Sequence, residues 1–209
     1  MIDSQSNGLK LSAAFTAGAL LYAEVKAVLP LLLQENHIIL LDQESKGNNL
    51  LKIKTEAARI RVVTELKKRV RVIEPFFWSF FEDRQEKEQR LALLYLVLKT
   101  YPLAFDLHFE VVLKKWRSLD FNIERFDLQM RLDEISSQND EVAQWTEATR
   151  TKLLTNYLRM LREAGLLGRT RLKQPEHIDS SFWEYFVAAG APWFLEACFL
   201  PKIERETYL

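Results

Sequence analysis

Cysteine is nearly absent. Cys198 is the one thiol in 209 residues, so no internal disulfide forms and no zinc ribbon or knuckle, which needs several thiolates, can be built. Glycine and proline are scarce as well, six of each, which is about half of average usage. So few turn formers favour long helices over the many short strands of a sandwich or barrel. The three histidines, His37, His108 and His177, stand far apart, and there is no glycine-rich phosphate loop, no His-Glu-x-x-His pair and no nucleophile turn. No catalytic centre, metal or cofactor is expected from such a chain.

Long uncharged apolar runs are missing too. The stretch from Ala13 to Leu33 is broken by Glu24, Lys26 and Pro30, and Leu91–Leu98 is followed by Lys99 and Pro102, whereas a spanning helix needs about 20 nearly uncharged residues. Met1-Ile2-Asp3-Ser4-Gln5-Ser6-Asn7 lacks the basic flank of a signal peptide. A soluble, cytoplasmic protein without a membrane partner is expected. At 48% hydrophobic and 28% charged, it buries a core rather than staying disordered.

Net charge is the last absence: 29 basic residues meet 29 acidic ones, which at first argues against a nucleic-acid partner. The balance is a cancellation between blocks. Lys52 to Ile73 holds Lys52, Lys54, Arg59, Arg61, Lys67, Lys68, Arg69 and Arg71 against Glu56 and Glu65, a net of +6. Ala148 to Lys173 carries seven basic residues against Glu163, again +6, and Asp120 to Glu147 between them nets −6. Sign asymmetry of this kind bears on partners more than the total does.

Apolar spacing of three and four predicts helices nearly throughout. Ser12 to Gln34 places Ala13, Ala17, Leu20, Leu21, Val25, Val28, Leu29 and Leu32 on one stripe. Asn36 caps a short helix through Glu44, Ser45-Lys46-Gly47-Asn48-Asn49 is a loop, and Thr55 caps a helix reaching Ile73, ended by Pro75. The aromatic block Phe76-Phe77-Trp78-Ser79-Phe80-Phe81 is expected to pack between two halves, with a boundary near residue 83. Gln85–Thr100, Leu103–Trp116 and Asn122–Ile135 read as further helices, and Thr146–Ala164 as another, closed by Gly165. The alternating Leu166-Leu167-Gly168-Arg169-Thr170-Arg171-Leu172-Lys173 reads as a small β-hairpin.

Two units carry the functional signal. In the first, at 100° per residue, Met160, Leu153, Ala164, Tyr157, Leu161, Leu154 and Leu158 fall on one face of the 146–164 helix. Lys152, Thr155, Asn156, Arg159, Arg162 and Glu163 fall on the other. Thr146, Thr149 and Thr151 sit at its start, where free amides and the dipole favour phosphate, and the basic hairpin with Arg169 and Arg171 follows at once. That is the layout of a winged-helix reader, a helix for the major groove beside a phosphate-binding wing. It is equally the layout of an amphipathic helix with a solvated basic face.

The second unit, Asn36 to Ile73, runs helix, loop, helix in the order of a helix-turn-helix, with a longer loop than usual. Ala57, Ile60, Val63, Leu66, Val70 and Ile73 form its buried stripe. Arg59, Arg61, Lys68 and Arg69 lie off it, and Lys52 and Lys54 precede the Thr55 cap, where a phosphate can lie. Against that, Lys67-Lys68-Arg69 also suits the negative end of a helix dipole, and Glu56 repels phosphate.

Other conspicuous residues have plainer roles. Asp120, Glu124, Asp127 and Glu134 recur near helical spacing but fit a solvated or arginine-pairing face better than a metal site. His108 is expected beside a core, Cys198 as an inert buried thiol, and the five tryptophans as core anchors.

Three landmarks then give a resemblance. Phe15-Thr16-Ala17-Gly18-Ala19-Leu20-Leu21 is followed by Lys54-Thr55-Glu56-Ala57-Ala58-Arg59. Trp145-Thr146-Glu147-Ala148-Thr149-Arg150-Thr151-Lys152-Leu153 then leads to Met160-Leu161-Arg162-Glu163-Ala164-Gly165-Leu166-Leu167. In order and spacing the chain resembles, from about residue 10 to 190, the small A protein (BrxA) family of the BREX phage-defence system. The resemblance implies an all-helical, non-enzymatic protein that binds double-stranded DNA beside larger BREX components. By position it makes Thr55, Arg59, Thr149, Lys152 and Arg159 candidate contacts. The tail from Phe182 to Leu209 matches nothing in that pattern.

The expectation is therefore a mainly all-α chain in two small helical halves. Residues 1–83 are helix-turn-helix-like, and residues 84–209 contain a winged-helix-like unit at about 122–190 with one short β-hairpin. Lys52, Lys54, Thr55, Arg59, Lys68, Thr149, Lys152, Asn156, Arg159, Arg169 and Arg171 are the candidate DNA contacts. The rival is an adaptor whose basic faces meet an acidic protein partner.

Overall fold

Every residue from Leu91 to Leu98 is buried in a computed structural model that describes residues 18–74 and 76–209. These residues form the middle of helix α5, Glu86–Thr100. A helix apolar on all sides is a core helix or a membrane span, and here it is a core helix: α3, α4, α6 and α10 all pack against it. No single helix among the described residues is long and apolar enough to cross a membrane.

Before α5 come α1 (Tyr22–Leu32), α2 (His37–Gly47), α3 (Glu56–Val70) and α4 (Phe77–Glu82). The first helix starts later than its periodicity suggests: Leu20 and Leu21 are buried but precede it, with Leu21 in a left-handed conformation, φ 60°. Residues 12–17 of that expected helix, and the Pro75 stop, lie outside the described residues. Helix α2 runs three residues further than expected, so Ser45, Lys46 and Gly47 are helical and the loop begins at Asn48, φ 53°. Thr55 caps α3 as its position suggests, accepting from the Ala58 N–H at 3.4 Å. Helix α3 ends at Val70 rather than Ile73, and its buried side is Val62, Val63, Leu66 and Val70. Ala57 and Ile60, assigned to the buried stripe by spacing, are exposed.

After α5, α6 (Pro102–Asp106), a π-helical segment (Leu107–Val112) and α7 (Leu113–Arg117) follow without a break, so the helix expected over 103–116 contains a wide turn at its centre. Helix α8 (Arg125–Ser136) starts three residues late because Asn122 is drawn into a β-bridge with Arg171. The polar stretch after it contains a short α9 (Asp140–Ala143), and then comes α10 (Glu147–Glu163). Gly165 follows at φ 79°, the conformation that ends a helix cheaply only with Gly or Asn.

The expected hairpin is smaller than a pair of strands. Two isolated antiparallel bridges, Leu167–Leu172 and Asn122–Arg171, are all the β-structure among the described residues. The Gly168 N–H donates to Arg171 O at 2.9 Å, closing a turn, and the Leu172 N–H donates to Phe121 O at 2.7 Å.

The tail, which the sequence pattern left without a role, completes the core. Helices α11 (Ser180–Ala188), α12 (Trp193–Ala197) and α13 (Lys202–Arg205) bring Phe182, Phe186 and Phe194 to full burial. The aromatic block of α4 meets them: Phe80 stacks on Tyr185 at 3.7 Å and 8°, and Phe77 contacts Tyr95 and Tyr185. Trp78 and Trp183 are buried and the other three tryptophans half-buried.

Candidate nucleic-acid interface

Helix α10 sorts its residues cleanly. Leu153, Leu154, Tyr157, Leu158, Met160 and Leu161 are buried, whereas Lys152, Thr155, Arg159 and Arg162 are exposed. At its start Thr146 Oγ1 accepts the Thr149 N–H at 3.2 Å and lies 3.0 Å from Thr149 Oγ1. Thr151 Oγ1 donates to Glu147. Two of the three hydroxyls are thus turned inward on the cap. Asn156 is half-buried and has a partner within the protein.

The cations of this unit are mostly exposed. Arg150 is the exception, held by Asp133 at 3.0 Å and Ser136 at 2.6 Å. Arg159 pairs with Glu163 at 2.7 Å while remaining 66% exposed, and such an exposed pair is worth about 0–1 kcal/mol, little enough to be exchanged for a phosphate. Lys152, Arg169, Arg171 and Lys173 are exposed and, among the described residues, have no acidic partner. Arg162 donates to Arg169 O at 3.2 Å, tying the end of α10 to the turn. Helix and turn are thus joined at Arg162, and both carry exposed cations.

Glu163, the acid on this face, has a second task. Its Oε2 accepts the Leu20 N–H at 3.0 Å, so the segment before α1 is fastened to the edge of the basic surface. Tyr22, Val62 and Arg90 line the same cavity as Arg159.

In the α2–loop–α3 unit, expected to be helix-turn-helix-like, several of the expected contacts are turned to the protein itself. Arg59 donates from Nε to Ser45 O at 3.1 Å and from Nη1 to Ile53 O at 3.0 Å, clamping the loop between α2 and α3. Glu44, 4% exposed, accepts the N–H groups of Asn49, Leu50 and Leu51 from the same loop. Lys67 pairs with Asp42 at 2.6 Å. Arg69, which spacing put off the apolar stripe, is 1% exposed. It pairs with Glu65 at 2.9 Å and donates to Leu20 O and Ala19 O. What is left outward is Lys52 (φ 51°), Lys54, Thr55 and Arg61, with Lys68 half-buried. Five of the eight basic residues, including Arg71, remain available, spread around the α3 start and along its length.

Other groups with chemical potential are structural. His108 is fully buried, bonded to Tyr157 and Ala197, and burial lowers its pKa to about 4. Burial pushes the Cys198 thiol up, which leaves it a poor nucleophile. Asp120 and Asp127 pair with Lys115, and Glu134 with Arg131. No group of three or more potential metal ligands occurs among the described residues. The structural roles of Arg59, Arg69 and Glu44 left no periodic mark in the sequence. Their partners are backbone groups or a neighbour one turn away.

Comparison with known proteins agrees with this arrangement of elements. The BrxA family model matches residues 10–190. The BREX protein BrxA of Bacillus cereus (strain H3081.97) is 23% identical over 160 residues, which is 75% of this chain and 80% of that protein. The crystal structure of an uncharacterized protein from Magnetospirillum magneticum superposes with a TM-score of 0.73 at 19% identity, covering 90% of this chain and 98% of that one. At such identity the likeness is one of fold.

Proposed function

The chain belongs to the BrxA family, and from that premise we propose that it is a non-enzymatic accessory protein of a BREX defence system that binds double-stranded DNA in the cytoplasm. The observation that carries the reading is the set of exposed cations on α10 and the following turn. It offers Lys152, Arg159, Arg162, Arg169, Arg171 and Lys173, all exposed, with Glu163 as the interspersed acid.

On this reading α10 lies along the major groove as a recognition helix, and the turn after it serves as a reduced wing on the backbone. Binding is chiefly electrostatic. Each lysine or arginine that neutralises a phosphate releases counterions. Lys52, Lys54, Thr55 and Lys68 on the helix-turn-helix-like unit supply secondary phosphate contacts. Arg59 acts by holding the loop that carries Lys52 and Lys54. The acidic residues of 120–147 keep DNA to the basic surfaces, or else meet other BREX components.

A second reading is an adaptor that meets only proteins. It is favoured by Phe126 and Met130, one turn apart on α8, which are 69% and 51% exposed amid charged residues of both signs. Gel-shift titration on duplex DNA, single-stranded DNA and RNA at two salt concentrations separates the readings. Duplex binding that weakens steeply with salt is expected, and no binding to any of the three near physiological salt would leave the adaptor.

A further inference from the structure

Beside the basic turn lies a shallow cavity of about 370 Å³ whose floor is aromatic, lined by Trp116, Phe121, Arg171, Leu172 and Lys173, with Glu176 at its rim. The Trp116 and Phe121 rings are 4.8 Å apart at 59°, and Trp116 is fixed from behind by stacking on Phe199 at 4.5 Å and 15°. The Arg171 guanidinium lies 5.1 Å above the Phe121 ring. The turn is tied to Phe121, because the Leu172 N–H bonds Phe121 O and the Ile123 N–H bonds Thr170 O. Both rings are half-buried, and Arg171 and Lys173 have no acidic partner among the described residues.

Half-buried rings beside cations that have no acidic partner suit a flat π-system joined to negative charge, Arg171 exchanging its place over Phe121 for the phosphate. A proline-rich or aromatic peptide would use the rings but not the cations, and an intact duplex would use the cations but keep its bases stacked inside. We propose that the Trp116–Phe121 shelf receives an unpaired base of a DNA strand where a duplex ends or opens, with Arg171 and Lys173 on the phosphate beside it. Base-on-aromatic stacking of this kind tolerates any base, since every base has a π-face. The inference rests on the duplex-binding reading of α10 and extends it to a junction between duplex and single strand.

The test titrates the full chain against one labelled duplex in four forms: blunt, with a short deoxyribonucleotide overhang, with an abasic overhang of equal length, and with a ribonucleotide overhang. The base-bearing DNA overhang is expected to bind roughly 5- to 150-fold more tightly than the abasic one, the range that stacking one base gives. Phe121→Leu is expected to shrink that ratio towards one. Trp116→Phe, which keeps a ring on Phe199, is expected to abolish the quenching of tryptophan emission by the overhang. Equal affinity for base-bearing and abasic overhangs overturns the shelf while leaving the duplex reading intact. A preference for the ribonucleotide overhang overturns the assignment to DNA. Retained overhang selectivity without affinity for the blunt form keeps the shelf and overturns the duplex reading.

Discussion

His108 joins three parts of the chain. It sits in the π-helical segment, and its Nε2–H donates to Ala197 O at 2.8 Å while its Nδ1 accepts from the Tyr157 hydroxyl of α10 at 2.9 Å. A carbonyl only accepts, so Nε2 carries a hydrogen, and the lowered pKa leaves the ring neutral with Nδ1 free to accept. Burial, opposed in part by the Ala197 bond, holds the pKa near 4, below the ordinary 6.5. Between these values the unfolded chain binds a proton that the folded chain refuses, so stability falls as pH drops from 6.5 towards 4 and is unaffected by this group above that window. At 1.36 kcal/mol per pH unit, the loss attributable to His108 is about 3 kcal/mol. Urea unfolding at pH 7 and pH 4.5 is expected to show a smaller difference for His108→Gln than for the unaltered protein. An equal difference would mean that His108 is not the group responsible.

Among the elements, α3 shows why a charge pattern is harder to read than an apolar one. The inward face of α10 was legible because many leucines repeat at helical spacing, and burial of apolar area is additive and indifferent to partner identity. In Lys67-Lys68-Arg69 three adjacent cations look alike, yet one is paired on the surface, one is half-buried and one is in the core. What separates them is distant. Arg69 meets Leu20 and Ala19, 49 and 50 residues away, and Glu65 is held in turn by the Tyr101 hydroxyl at 2.5 Å. The hairpin is only partly legible for a related reason: alternation marks extended chain, but a single turn that borrows its second bridge from Asn122 leaves the same mark. Arg69→Met strands a buried carboxylate and two carbonyl groups, and is expected to cost about 3–5 kcal/mol. The double change Arg69→Met with Glu65→Leu removes the stranded charge and is expected to recover part of that loss in thermal or urea unfolding followed by circular dichroism.

For the molecule as a whole, zero net charge describes nothing that a partner meets. The structure refines the two +6 segments of the sequence. In the α3 segment Arg59, Lys67 and Arg69 are turned to the protein, whereas the α10 segment commits Arg150 and exposes the rest. An approaching polyanion therefore meets six exposed cations on α10 and its turn, against four exposed and the half-buried Lys68 around α3. If Lys152, Arg159, Arg162, Arg169, Arg171 and Lys173 each neutralise one phosphate, log K falls against log salt with a slope of roughly −5.

The most direct measurement is that slope, taken by fluorescence anisotropy on a blunt duplex for the unaltered protein and for Lys152→Glu with Arg159→Glu. Circular dichroism confirms the fold of both. Weaker binding by the charge-reversed protein is expected, with a slope shallower by about 2, one phosphate lost per cation. An unchanged affinity and an unchanged slope in a folded variant would contradict the assignment of α10 as the DNA-binding face.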